Sequence, residues 1–308
     1  MNANVHKKRK WLSWEDFPEG FTPFPLNPTG VTLGTKKLAP GVYALLADKA
    51  NVDNAGFVVG ERGVLVIDAH ISVSMARQIQ ERVREVTDKP ILYLVNSCYH
   101  GDHTFGNCAF PAETLIVQHR RTAELVPYFE EEKAFLLPTV DNDSKIFAGV
   151  ELRLPDVVFD NYLRIDLGGR AVELHYFGAA NTPGDTITYV PEAKVAWTGN
   201  MTHGDLIVTL ESDPPTYMRT IARFAENLAV DTLVPAHYPP TTAANLGRYF
   251  SYLGELNNEV MKAVAEGLSL KETQARVKLN APYAPAPDDP RLRFFTELHS
   301  FNVQKAYQ

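Results

Sequence analysis

The sequence predicts an α/β protein in which β-sheets are covered by helices. Short apolar segments typical of buried strands alternate with longer segments whose apolar residues recur at helical spacing. Some strands follow one another through tight turns and others are separated by helices, which is the pattern of sheets packed between helix layers. With 308 residues, the chain is long enough for one large domain with appendages.

Composition narrows the function classes before any motif is considered. The formal net charge of −7 disfavours nucleic acid and anionic membranes as partners, and no apolar run has the length of a membrane span. The basic run Lys7–Lys10 is expected to be a solvated tail, since no secretory apolar segment follows it. The two cysteines, Cys98 and Cys108, cannot form a disulfide framework. We therefore expect a cytoplasmic protein that acts on a small-molecule substrate.

Three segments follow one another along the chain. Residues 1–36 are rich in proline, glycine and aromatics, and predict an N-terminal extension that packs on the surface or reaches a neighbouring subunit. Residues 37–240 alternate between strands and helices and form the predicted domain. Residues 241–308 form a predicted C-terminal helical extension. We hypothesise that these two extensions build a homodimer.

The first half of the domain begins with strands. "GVYALLA", "AGFVVG" and "GVLVIDAH" are predicted strands, and the last two form a hairpin across Gly60–Gly63. A helix follows, with Met75, Ile79, Val83 and Val86 predicted on one face. "ILYLVNS" is then a buried strand that leads into the loop "NSCYHGDHTFGN", and "TLIVQ" is another strand.

The second half continues the alternation. A helix is predicted from Arg120 to Phe135, and the strands that follow are "RIDLGG", "AVELHYF", "TITYV" and "KVAWTGN". The next predicted helix buries the stripe Tyr217, Ile221, Phe224 and Leu228. Strand "TLVPAHY" ends the domain. In the helical extension the predicted buried face consists of Leu246, Phe250, Leu253, Leu256 and Val260.

Candidate metal ligands cluster directly after a predicted strand. Cys98, His100 and Asp102 alternate in sequence, so they can share one side of an extended chain, and His103 follows where the loop turns. Further candidates stand at the ends of later strands, and neighbouring strand ends converge in space: Asn181, Asn200 and His237. Histidine, aspartate and cysteine are the ligand types that zinc accepts.

"YHGDHTFGN", "NTPGD", "WTGN" and "PAHY", in this order, resemble the metallo-β-lactamase superfamily over residues 38–240. The resemblance implies an αββα sandwich. It places Cys98, His100 and Asn181 at the family's first metal site, and it places four residues at the second site: Asp102, His103, Asn200 and His237. It also implies that Asp68, in "VLVIDAH", supports the ligands from behind.

Three of these seven positions depart from the family's ligands, and two of the three lie in the first site. An asparagine carbonyl is a weaker zinc ligand than imidazole or carboxylate, and Asn200 stands where the family places a carboxylate or thiolate that can bridge two metals. We therefore predict a mononuclear site at Asp102, His103 and His237. One zinc ion per chain is the expected cofactor, and iron is the alternative because it also accepts two histidines and a carboxylate.

The expected reaction is hydrolysis of a small ester, lactone, thioester or amide by metal-activated water. His100 or Asp102 would accept the proton of that water. Cys98, Asn181 and Asn200 are candidates for either metal binding or the pocket wall. Three further side chains near the expected pocket are candidates for substrate contact: His70, Tyr99 and His203.

Two other function classes remain open from the sequence alone. The altered ligand set can hold iron for an oxygenase reaction, and the pocket can also serve a lyase or isomerase on the same scaffold. A metal-free binding protein is the other class. It predicts that Asp102→Ala leaves ligand binding unchanged.

Overall fold

The computed structural model describes residues 12–204 and 206–308 and contains two β-sheets packed face to face. The predicted tail Lys7–Lys10 lies outside the described residues. The first sheet has seven strands in chain order: β1 (Leu33–Ala39), β2 (Val42–Ala47), β3 (Ala55–Val59), β4 (Val64–Ile67), β5 (Ile91–Val95), β6 (Leu115–His119) and β7 (Val157–Phe159). The second sheet has five strands: β8 (Tyr162–Asp166), β9 (Ala171–His175), β10 (Ile187–Val190), β11 (Val195–Gly199) and β12 (Thr232–Pro235).

Eight α-helices accompany the sheets in the described part of the chain. They are α1 (Val73–Arg84), α2 (Gly101–Thr104), α3 (Arg120–Leu125), α4 (Phe129–Leu136), α5 (Pro214–Asn227), α6 (Ala244–Ala265), α7 (Leu270–Arg276) and α8 (Leu292–Tyr307). None of the helices in residues 12–204 and 206–308 combines the length and apolarity needed to cross a bilayer.

The sheet topology brings several strand ends to one edge of the sandwich. Strands β1 to β4 pair antiparallel, whereas β4 to β7 pair parallel. In the second sheet β11 and β12 are parallel neighbours. The loops after β4, β5, β11 and β12 therefore meet, and they carry the predicted ligand positions other than Asn181, which lies between β9 and β10.

Apolar burial arranges the layers as helix, sheet, sheet and helix. Ile67 and Val95 of the first sheet pack against Trp197 and Val234 of the second. The outer face of the first sheet is covered by α1, and the outer face of the second is covered by α5 and α6. This arrangement confirms the predicted αββα sandwich.

Gly56 on β3 allows the two sheets to approach closely. A Cβ atom at this position would overlap the Trp197 indole of the facing sheet. The indole is almost completely buried, so the sheets cannot separate locally without opening a cavity. A glycine is therefore needed at position 56.

Several predicted elements differ in detail. The single helix expected from Arg120 to Phe135 is two helices, because Pro127 lacks the amide hydrogen that a continuous helix needs. Helix α1 ends at Arg84, so Val86 lies beyond it and is 37% exposed. Phe250, predicted on the buried face of α6, is 41% exposed, because Tyr249 and Leu253 occupy that face.

The first sheet begins inside the segment assigned to the N-terminal extension, since β1 starts at Leu33. Described residues of that segment before β1 pack on α8 of the same chain. The Phe17 and Phe301 rings stack with centroids 4.3 Å apart, and the Thr22 amide donates to Glu297 at 2.8 Å. Of the two arrangements expected for the extension, the structure shows packing on the chain's own surface. The homodimer remains a prediction.

Candidate active site

Four potential ligands from three parts of the chain meet at the edge of the sandwich. Asp53 precedes β3, Asp102 and His103 lie on α2, and His237 follows β12. Their ligand atoms all lie within 4.8 Å of one another, and all four residues are buried. Asp102 Oδ2 lies 3.7 Å from His237 Nε2 and 3.8 Å from His103 Nε2. Asp53 Oδ1 lies 3.6 Å from His237 Nδ1 and 4.0 Å from His103 Nε2.

Three of the four carboxylate oxygens of this group lack hydrogen-bond donors among the described residues. Both oxygens of Asp53 and Oδ1 of Asp102 are buried and have no hydrogen-bond partner among the described residues. Burial, together with the nearby Asp102 charge, raises the pKa of Asp53 well above its usual value. Two buried carboxylates without donors are costly unless a cation joins them. The donor set therefore fits one divalent metal ion, as the mononuclear prediction requires.

Both histidines are oriented for ligation through Nε2. His103 Nδ1 lies 3.0 Å from Asp68 Oδ2, and the Ser97 hydroxyl donates to the same oxygen at 2.8 Å. His237 Nδ1 lies 2.7 Å from the Asn51 carbonyl. When Nδ1 of each ring donates its proton to these acceptors, Nε2 keeps its lone pair, and each Nε2 lies within 3.8 Å of Asp102 Oδ2.

The protonation tendencies of the cluster are set by burial and by the neighbouring charges. Burial lowers the pKa of His237 to about 3 despite the nearby Asp102, which favours the neutral ring that a metal ligand must be. Burial raises the pKa of Asp102, but His103 and His237 more than offset this effect and the net shift is downward.

Asn200 is adjacent to the cluster. Its Nδ2 donates to His103 Nε2 at 3.0 Å, while its Oδ1 is buried without a partner. A metal ion held by His103 would take the place of this hydrogen bond. Gly199 makes the close approach of this loop feasible: its φ is +52°, and a Cβ there would lie 2.6 Å from the Ser97 hydroxyl.

The backbone around the cluster is held in an unusual conformation. Seven non-glycine residues in the described chain have positive φ, and four of them border the cluster: Asn51, Asp68, His70 and Tyr238. Such conformations cost about 1–3 kcal/mol each and persist where the surroundings enforce them, most often at functional sites. This concentration supports the assignment of the cluster as the functional centre.

The three predicted first-site positions lie outside this ligand group. Cys98 is fully buried, and burial raises the pKa of its thiol well above the usual value. Asn181 Nδ2 donates to the Thr209 carbonyl at 3.2 Å. His100 lies between Glu132 and Glu211. Within residues 12–204 and 206–308, one group of three or more histidine, cysteine, aspartate or glutamate side chains has metal-binding geometry. It consists of Asp53, Asp102, His103 and His237.

His100 is held by carboxylates on both sides. Its Nδ1 lies 3.0 Å from Glu132 and its Nε2 lies 2.7 Å from Glu211. Burial alone lowers the pKa of this ring, but the two carboxylates raise it well above the usual value. The Tyr99 hydroxyl donates to Glu211 at 3.2 Å and accepts the Leu12 amide at 3.1 Å. This network connects the N-terminal extension to the cavity wall.

The cluster opens into a cavity with apolar walls. Asp102, Glu211 and His237 are among its polar lining residues. The N-terminal extension, α4 and α8 supply the apolar walls, which include Leu12, Phe24, Leu26, Phe135, Phe295 and Leu298. The floor therefore combines metal ligands and carboxylates, and the walls suit an apolar substrate group.

The remaining predicted positions differ in their access to the cavity. His203 lines it, with Nδ1 3.1 Å from the Ile207 carbonyl. Burial lowers its pKa to about 4. His70 lies behind Asp53, with Nε2 3.1 Å from the Asp53 carbonyl. Tyr99 contacts Glu211 rather than the cavity.

Comparison with known proteins identifies the family. The model of the metallo-beta-lactamase superfamily matches residues 50–237, more than half of the chain. The chain belongs to this superfamily. This result confirms the predicted family.

Among curated proteins, the chain is similar to a linear primary-alkylsulfatase of Pseudomonas sp. (strain ATCC 19151), with 21% identity over 289 residues. The match covers 80% of this chain and 53% of the relative, so the chain spans about half the length of that protein.

Two solved structures show the same fold. The inverting sec-alkylsulfatase Pisa1 from Pseudomonas sp. aligns with a TM-score of 0.67 and 18% identity, over 90% of this chain and 50% of that one. A metallo-beta-lactamase from Pontibacter korlensis aligns with a TM-score of 0.59 and 17% identity, over 72% of this chain and 99% of that one.

Three residues of the site were missed from the sequence: Asp53, Glu132 and Glu211. Asp53 lies in a loop between two strands, far along the chain from the motif residues. Glu132 is one of three consecutive glutamates on α4, and Glu211 belongs to no recognisable motif. The one local signal for Asp53 is an acidic residue two positions before a buried strand.

Proposed function

We propose that this chain is a metal-dependent hydrolase of an ester that carries an apolar group. The observation that carries the proposal is the buried group Asp53, Asp102, His103 and His237, which has unpartnered carboxylate oxygens and opens into an apolar cavity. The names of the similar alkylsulfatases support ester hydrolysis over hydrolysis of a lactone or amide.

One divalent ion, zinc by preference, would be held by these four residues. When bound, it supplies a Lewis acid and lowers the pKa of a coordinated water toward neutrality. Asp53, which the sequence did not predict, would supply the carboxylate charge that is missing at Asn200. The ligand set would therefore contain two carboxylates and two imidazoles.

The chain's own residues supply the remaining functions. Asp102 lines the cavity, and its carboxylate can accept the proton of an attacking water. The two glutamates engage both ring nitrogens of His100, so we assign His100 the role of holding Glu211 at the cavity wall. The apolar walls bind the ester's apolar group and exclude water from it.

Metal content and turnover, measured together, test this proposal. Wild type purified without added metal, then incubated with zinc or iron, should contain about one ion per chain and hydrolyse a 4-nitrophenyl acyl ester. His237→Ala should lose the ion and lower turnover by about 100-fold or more, a loss larger than that typical of residues that only support a ligand. His175→Ala is the matched control, because His175 on β9 contacts Glu173 rather than the cluster.

Two outcomes would contradict the proposal. One is a protein that holds no metal after incubation with either ion. The other is full turnover by His237→Ala or by the chelator-treated enzyme.

A further inference from the structure

We propose that the cavity selects an uncharged ester and discriminates against a sulfate monoester, although the similar proteins are named alkylsulfatases. This inference rests on the proposed function and names its substrate class. It is carried by the charges around the cavity and by the composition of its walls.

Carboxylates dominate the charged groups at the cavity floor. Asp102 and Glu211 line the cavity, Asp53 lies within ligand distance of Asp102, and Glu132 holds the far side of His100. These four carboxylates carry four negative charges when ionised. A divalent ion and a protonated His100 supply three positive charges, so one negative charge remains even with both of these cations present. The balance therefore does not depend on the state of His100, since a neutral ring would leave the site more negative.

No lysine or arginine lines this cavity among the residues that the structure describes. Arg291 approaches as far as the Tyr238 ring, with its guanidinium 5.9 Å from the ring centroid. Its guanidinium, however, is held by Asp289 at 2.6 Å. A sulfate group bound beside Glu211 would lose hydration without gaining a charge-assisted arginine or lysine contact. An uncharged ester avoids this cost.

The cavity walls consist of apolar side chains that favour an uncharged substrate group. Leu12 and Phe24 from the N-terminal extension face Phe135 of α4 and Phe295 and Leu298 of α8 around the cavity. Burial of an alkyl or aryl group against these side chains is favourable without any ionic contact. The substrate class is therefore an uncharged carboxylic ester with an apolar alkyl or aryl group.

Equilibrium binding tests the selectivity without requiring turnover. Octane-1-sulfonate and octyl methyl sulfone have the same alkyl chain, but only the sulfonate is charged. Calorimetry on the metal-loaded protein should show at least tenfold weaker binding of the sulfonate, a modest expectation for one like charge held about 4 Å away at low effective dielectric. Glu211→Gln should reduce this difference by strengthening sulfonate binding, while sulfone binding changes little.

The outcomes separate the inference from the proposed function. Equal or tighter binding of the sulfonate by wild type overturns the selectivity, and so does faster hydrolysis of octyl sulfate than of an octanoate ester. Failure of both ligands to bind overturns it too. If the sulfone is preferred but no ester is hydrolysed, the selectivity holds and the proposed reaction fails. Because the wild-type comparison is sufficient, the test does not depend on the folding of the variant.

Discussion

Replacing Asp53 by asparagine tests the ligand assignment that sequence reasoning missed. The Asp53→Asn substitution would keep the size of the side chain but would remove its charge and one of its metal-binding oxygens. Loss of a residue that only supports a ligand weakens metal binding by 10–100-fold, so loss of a ligand should reach about 100-fold. If wild type is measured at 1,000 times its dissociation constant, zinc stabilises it by about 4.1 kcal/mol and the variant by about 1.4 kcal/mol. The expected difference is therefore about 2.7 kcal/mol.

Without metal, the substitution should not reduce the stability of the protein. Both oxygens of Asp53 are buried without donors, and the Asp102 carboxylate is close by. Replacing Asp53 by asparagine removes the cost of burying a carboxylate charge that has no partner. Metal-free Asp53→Asn should therefore be at least as stable as metal-free wild type. A purely structural Asp53 would give a less stable metal-free variant.

Denaturant unfolding with and without zinc, combined with equilibrium dialysis, measures both effects. Asp185→Asn is the matched control: Asp185 is also buried, but it accepts hydrogen bonds from Ala180 and Thr182 and lies outside the ligand group. It should lose stability and keep its zinc affinity. Zinc binding by Asp53→Asn within a factor of about three of wild type, far short of the ~100-fold loss expected for a ligand, would refute the ligand assignment.

Two further predictions concern the fold. His299 on α8 lies 3.1 Å from the Tyr252 hydroxyl, and burial lowers its pKa to about 4. Its neutral form therefore contributes stability above about pH 6.5 that is lost as pH falls toward 4. The unfolding free energy of wild type should fall by about 2 kcal/mol more than that of His299→Gln between about pH 7 and pH 5, and parallel pH profiles would contradict this prediction. Gly56→Ala should destabilise the protein by about 1–3 kcal/mol because the added methyl group overlaps the Trp197 indole, and an unchanged denaturation midpoint would show that the sheets can separate there.

The parts of the fold that could be predicted from sequence depend on local periodicity. The α1 stripe Met75, Ile79 and Val83 is buried as the helical spacing predicted. The predicted strands of both sheets are present, because their short apolar runs are bounded by turn residues. Val157–Phe159 was not predicted, because β7 is a short edge strand with partly exposed side chains.

The site was predictable where its ligand candidates stand in recognisable motifs, as Asp102, His103 and His237 do. Asp102 and His103 stand together in one motif, whereas Asp53 joins them only because β2 and β3 pair and bring their connecting loop to the same edge. The expected alternation of Cys98, His100 and Asp102 does not hold. The strand ends at Val95 and α2 begins at Gly101, so these side chains follow a bend and a helix rather than an extended strand.

None of the three first-site positions is left as an unoccupied ligand. The two ring nitrogens of His100 contact two glutamates, Asn181 donates to a backbone carbonyl, and Cys98 is a buried thiol. Mere loss of a metal from an otherwise unchanged site would leave His100 with an empty coordination position, whereas both of its ring nitrogens are engaged.

The two carboxylates that hold His100 also give the cavity its charge. A second divalent ion beside His100 would have to displace Glu132 or Glu211 from the ring, so the same contacts that oppose a dinuclear centre place Glu211 on the cavity wall. The proposed single metal ion and the proposed preference for an uncharged substrate would therefore have one physical origin. A variant that frees His100 from Glu211 should weaken both properties together.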